Sequence, residues 1–150
     1  MNTLIAFLQF RFFPRNINVA LFILRLWLGL SMLLLHGVGK IERFSKLSAE
    51  FPDLLGIGSR TSLCLAIGAE ALGSALLVLG LFTRFAALSL VVTMGVAFFL
   101  AHKATLTGDN SGELAFIYLA GYVTLFLTGG GAFSLDAGFR EPPLNTKSAK

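Results

Sequence analysis

Cysteine is nearly absent: Cys64 is the single one in 150 residues, which excludes an intramolecular disulfide and any CxxC redox or metal motif. Lying inside an apolar run, it reads as packing. Charge is scarce as well. Only 13% of residues are charged against 55% hydrophobic, with a mean hydropathy of +0.79, and this composition excludes an ordinary water-soluble domain. No nucleotide-binding glycine motif and no flavin fingerprint occurs, so electron transfer by this chain requires a quinone, a haem or a partner subunit. The excess of basic over acidic residues, 12 against 8, flanks apolar runs. That placement assigns the basic charge to topology and anionic lipid, not to nucleic acid.

Long apolar runs are what the chain has instead. Ser62 to Phe82 carries one charge, Glu70, and a second run follows Thr83 and Arg84 as far as His102. About 20 residues at ~1.5 Å each cross a hydrocarbon layer of ~30 Å. The two runs therefore read as a membrane hairpin. The first long run starts at Ile17 and holds only Arg25, and the last ends in GGGAFSLD, whose three glycines stop a helix readily. Arg25 interrupts what would be a signal-peptide core, so the first segment is retained. The expected fold is an all-α membrane protein: a four-transmembrane-helix bundle of one domain, with spans at about 17–37, 62–82, 84–102 and 112–129. A short interfacial helix lies between spans 1 and 2, where charges alternate with Ile41, Phe44, Leu47 and Leu55, and a polar tail occupies 137–150. The N-terminal MNTLIAFLQFRFFPRN is too short to span and has an apolar face suited to the interface.

Four spans put both termini on one side. Arg11, Arg15, Arg84, Arg140, Lys147 and Lys150 flank that side, against Lys40, Arg43, Lys46, Arg60 and Lys103 on the other. Arg84 sits in a minimal turn, whereas the long connection cancels much of its charge with acids, so both termini are expected in the cytoplasm.

Two intramembrane charges demand partners. Counted from opposite ends of their spans, Arg25 and Glu70 each lie about 12 Å deep, within ~6 Å of a common level. A buried Arg25–Glu70 pair with Glu70 available for proton exchange is the expected catalytic or structural centre. Arg25, Gly29, Met32 and His36 share one helical face, and Ala69-x-x-x-Gly73 has the spacing of close helix packing. At the outer end, His36, Lys40, His102, Glu113 and Tyr118, with Asp109 and Tyr122 nearby, form an expected ligand-binding funnel above that pair. No metal site is expected. Interfacial His, Lys and Tyr also anchor spans without doing chemistry.

These residues together resemble a known family. Glu70-x-x-Gly73, the GLFTR run from Gly80 to Arg84, Met94, His102, Gly108, Glu113 and GGGAFSLD are similar in order and spacing to the DoxX family of bacterial four-span membrane proteins. Gly37 and Lys40 of HGVGKI match its G-x-x-K element, and the likeness covers roughly residues 18 to 137. The resemblance implies a bacterial inner-membrane protein with a quinone link, since named members include subunits of thiosulfate:quinone oxidoreductase. A quinone held by His36, His102 or a tyrosine, with a partner oxidoreductase subunit, is the leading expectation. The alternatives are a non-catalytic membrane assembly or binding subunit, alone or as a homo-oligomer, a small transporter, and a haem b carrier ligated by His36 and His102.

Overall fold

Two ends of the long helices are closed by hydrogen bonds that their own local sequence supplies. In the computed structural model, which describes residues 2–139, helix α1 spans Asn2–Leu8, α2 Ile17–Glu42, α3 Phe44–Glu50, α4 Ser59–Leu79, α5 Thr83–Ala101 and α6 Glu113–Thr128. A 3₁₀ turn over Leu135–Phe139 follows, and no strand occurs among the described residues. The Asn16 side chain caps α2 by accepting from the Val19 N–H at 3.2 Å. Helix α4 stops at Gly80, whose φ of +71° only glycine adopts without strain. There the Gly80 and Leu81 amides close on the Leu77 and Leu76 carbonyls, a Schellman ending. Part of the expected polar tail, residues 140–150 with Arg140, Lys147 and Lys150, lies outside the described residues.

Helices α2, α4 and α5 are long and apolar enough to cross a membrane. Their lengths are about 39, 32 and 29 Å at the usual rise. The fourth apolar helix, α6, has 16 residues, about 24 Å, so the structure supports three full-length spans and one shorter apolar helix where four equal spans were expected. The boundaries move as well. Helix α2 continues through His36 and Lys40 to Glu42, past the expected end near residue 37, while α4 starts at Ser59 and breaks at Gly80, three residues earlier at each end than expected.

The four long helices pack as a ring, α2 on α4, α4 on α5, α5 on α6 and α6 back on α2. Met32, Leu77, Leu90, Tyr122 and Leu125 fill its centre. Trp27, Leu34, Leu35 and Leu127 face outward, as lipid contact requires and water would not favour. Three of the helices widen into a π-turn with i→i+5 bonding: α2 at Leu33–Gly37, α4 at Gly68–Gly73 and α5 at Ala97–Ala101. Such widenings are frequent at functional sites.

Candidate functional site

The π-turns of α2 and α4 lie against each other, and Gly37 is the residue that lets them meet. A Cβ at Gly37 would stand 2.9 Å from both the Ala71 Cα and the Glu70 carbonyl oxygen, so any side chain there would force the helices apart. Just beyond the contact, Lys40 Nζ donates to Glu70 Oε2 in the one ion pair among the described residues. Glu70 is only 5% exposed. Its charge is affordable at that depth because the ammonium compensates it.

The expected Arg25–Glu70 pair does not form. Arg25, 1% exposed, donates from Nη2 to the Phe133 carbonyl at 2.6 Å, and its Nε and Nη1 have no partner. The helix register explains the difference. Gly37 faces Ala71, Gly29 faces Ser74 and Val78, and Arg25 Nη1 lies where a Cβ on Gly80 would be. Arg25 is thus opposite a residue ten positions beyond Glu70, about 15 Å along α4. A first span ending near residue 37 leaves Lys40 in the loop, whereas α2 runs on to Glu42. Lys40 instead sits on the helix, one turn after His36 and three residues after Gly37; that spacing was visible in HGVGKI.

At its own end of the bundle Arg25 belongs to a latch built by the segment after α6. Asp136 accepts from the Phe82 N–H at 2.7 Å and the Thr83 N–H at 2.8 Å. A carboxylate from 54 residues away thereby caps α5 and opposes the positive end of its dipole. Burial works to raise the Asp136 carboxyl, but the Thr83 hydroxyl, the two amides and the Arg25 charge outweigh it and hold it below the usual carboxylate range. The Asp136 N–H donates to the Gly80 carbonyl, and the Ala132 N–H to Asn18 Oδ1, both at 2.9 Å. Nothing near Asp136 in sequence announced this role.

The outward funnel divides into two groups. His36, Lys40 and Tyr118 stay together around the Glu70 end of α2: the His36 ring stands edge-on to Tyr118 at 6.1 Å, and Tyr118 Oη donates to Ser31 Oγ at 2.9 Å. Tyr122 stacks under Tyr118 and donates to the Leu28 carbonyl at 3.3 Å. His102 turns away into the α5–α6 connection, with Nδ1 3.1 Å from Asn110 Oδ1 and 3.2 Å from its carbonyl. Glu113 and Asp109 are exposed in the same region. Among the described residues no hydrogen bond, ion pair or ring contact joins His102 or Glu113 to His36, Lys40 or Tyr118, and no cluster of three or more His, Cys, Asp or Glu forms a metal site.

Beside the ion pair, between α4 and α5, lies an open cavity of about 710 Å³ that no sequence motif announces. Its walls come from Leu65, Ala69, Gly73 and Leu76 on α4 and from Val92 and Val96 on α5. Phe51, Leu54 and Leu55 of the connection before α4 lie over one end, and Lys40 and Glu70 supply charge. Neither His36 nor His102 lines it.

Comparison with known proteins adds the family. The model of the DoxX family matches residues 20–103, more than half of the chain. The chain belongs to the DoxX family. A Haemophilus influenzae protein described only as uncharacterized is 37% identical over 118 residues, covering 72% of this chain and 82% of the relative. A second uncharacterized protein of that organism is 37% identical over 73 residues, 47% of this chain and 48% of its own. No solved structure matches. As a DoxX protein with three spanning-length apolar helices, the molecule is a membrane protein in contact with lipid. The DoxX match includes Arg25, Gly37, Lys40 and Glu70, while the Asp136 latch falls beyond it.

Proposed function

We propose that this DoxX protein binds the head group of a lipid-soluble quinone at Lys40 and Glu70, in the inner membrane of a bacterium, as the quinone-linked subunit of an oxidoreductase. The observation that carries the reading is a mutually neutralised ion pair buried beside a large apolar cavity. A charged ligand would unbalance such a pair. A neutral head group with carbonyl or hydroxyl oxygens suits it: Lys40 Nζ donates to a carbonyl oxygen, and the Glu70 carboxylate accepts from a hydroxyl. A bound quinone supplies two-electron, two-proton chemistry, with electrons drawn from a partner oxidoreductase subunit. This chain's residues orient the head group, exclude water and hold or release a proton at Glu70. His36 and Tyr118 flank the pair from α2 and α6.

In this reading α6 is the fourth span, shortened at the Gly129 break, and both termini are cytoplasmic because Arg84 occupies the tight α4–α5 turn beside the latch. The test is equilibrium binding of a benzoquinone without a side chain to the purified protein. Lys40→Met and Glu70→Gln should each weaken it at least tenfold, and His102→Ala should leave it unchanged. Equal affinity in parent, Lys40→Met and Glu70→Gln would transfer the protein to the assembly-subunit reading, in which the pair only fixes helix register.

A further inference from the structure

The cavity beside the ion pair is far larger than a head group needs, and its shape names the rest of the ligand. From Ser62 to Leu76 the α4 wall runs about 21 Å at the helical rise. Along it the floor is made by small residues, Ala66, Ala69 and Gly73, facing Val92 and Ala97 of α5. The result is a trough open along its length. Helices α4 and α5 are in direct contact behind it and close that side.

We infer that this trough is the binding site for one long hydrocarbon chain, of the prenyl or alkyl type, attached to the neutral head group at Lys40 and Glu70. The inference rests on the proposed head-group site and deepens it by assigning the path that the ligand's chain takes. Two features choose a single-chain neutral amphiphile over a bilayer phospholipid. Glu70 lies eleven residues into α4 from Ser59, about 16 Å from that helix end, whereas a phospholipid keeps its charged head at the interface. Among the described residues the only charges lining the trough are Lys40 and Glu70, which cancel, so no net charge awaits a phosphate. A neutral ring is able to reach that depth while its chain follows the apolar walls. Phe51, Leu54 and Leu55 lie over the Ser62 end. Asp53 holds them there by accepting from the Ile57 and Gly58 amides at 2.9 Å and from Ser62 Oγ at 3.2 Å.

In a bilayer the chain exchanges lipid for protein contacts, so packing and not water exclusion drives its choice of the trough. Location is therefore the decisive readout. The probe is a benzoquinone with a ten-carbon chain bearing a terminal diazirine, photolysed with the full-length protein in lipid nanodiscs. Adducts are expected on peptides spanning 62–76 and 85–101, suppressed at least fivefold by excess unlabelled decyl-benzoquinone. Alkylation of Cys64, the single cysteine and a trough residue, should slow severalfold with the decyl compound and not with the chain-less ring. This second measurement needs no substitution. Adducts spread equally onto the lipid-facing Ile23, Trp27 and Leu30 of α2, with no competition and no Cys64 protection, would overturn the chain site even if Lys40→Met still abolished binding of the chain-less ring. Competed trough adducts that persist in Lys40→Met, together with unchanged ring binding, would sink the head-group reading instead and make the trough a site for an ordinary lipid chain.

Discussion

At the residue scale, the account turns on which cation answers Glu70. Removing Lys40 leaves a carboxylate without a partner at depth, so Lys40→Met should destabilise the protein in detergent by about 1–3 kcal/mol. The figure is below the usual cost of breaking a fully buried pair because the lysine side chain is partly exposed. Adding Glu70→Gln should restore part of that loss, and a double-mutant cycle of thermal unfolding reads the coupling. The same cycle between Arg25→Leu and Glu70→Gln should be additive within about 0.5 kcal/mol, since the two groups are well separated. Strong Arg25–Glu70 coupling would reinstate the pair expected from sequence. Gly37→Ala tests the backbone contact that presents Lys40 and Glu70. With Ala71 Cα and the Glu70 carbonyl 2.9 Å from the new methyl, it should cost about 1–3 kcal/mol, whereas Gly68→Ala, with open space around it, should cost nothing measurable.

At the element scale, two carboxylates hold helix ends, and both titrate low. Asp136 caps α5 and sits below the ordinary carboxylate pKa against the raising effect of burial. Asp53, first through the Gly58 amide and also through Ile57 and Ser62, is likewise lowered. A folded pKa below the unfolded one gives stability that is fully present above about pH 4 and is lost as pH falls through the folded value. Unfolding midpoints measured from pH 6 to pH 2.5 should therefore drop in the parent. The drop should be shallower in Asp136→Asn, which starts less stable, and a parallel fall in both would remove the cap from the account. How legible these elements were differs sharply. The apolar runs revealed α2, α4 and α5 because lipid-facing helices need apolar residues on every side. Gly129 to Gly131 revealed the end of α6. The latch was illegible, since a cap supplied from 54 residues away leaves no local pattern. The partner of Glu70 was hidden for a related reason: the depth of a charge depends on where its helix ends, and Gly37 and Gly39 of HGVGKIE read as a helix end although α2 continues through them to Glu42. Gly37-x-x-Lys40 and Glu70-x-x-Gly73 were legible as motifs, but their docking through two π-turns was not.

At the scale of the whole molecule, the ring of four helices has a different construction at each end. The Arg25–Asp136 latch ties α2, α5 and the segment after α6 together at one end. At the other, α2 and α4 meet through Gly37 and open beside the pair into an apolar trough. The closed end gives rigidity and the open end gives room for a ligand, which is the division a binding protein in a bilayer needs. The most direct test is the quinone content of the protein purified from its native membrane in parallel with an unrelated membrane protein, by solvent extraction and mass spectrometry. The expected result is close to one quinone per chain in the parent and in Arg25→Lys, with at least a fivefold loss in both Lys40→Met and Glu70→Gln. A parent content no higher than that of the unrelated protein, or the same content in all four chains, would contradict the claim that Lys40 and Glu70 hold a quinone.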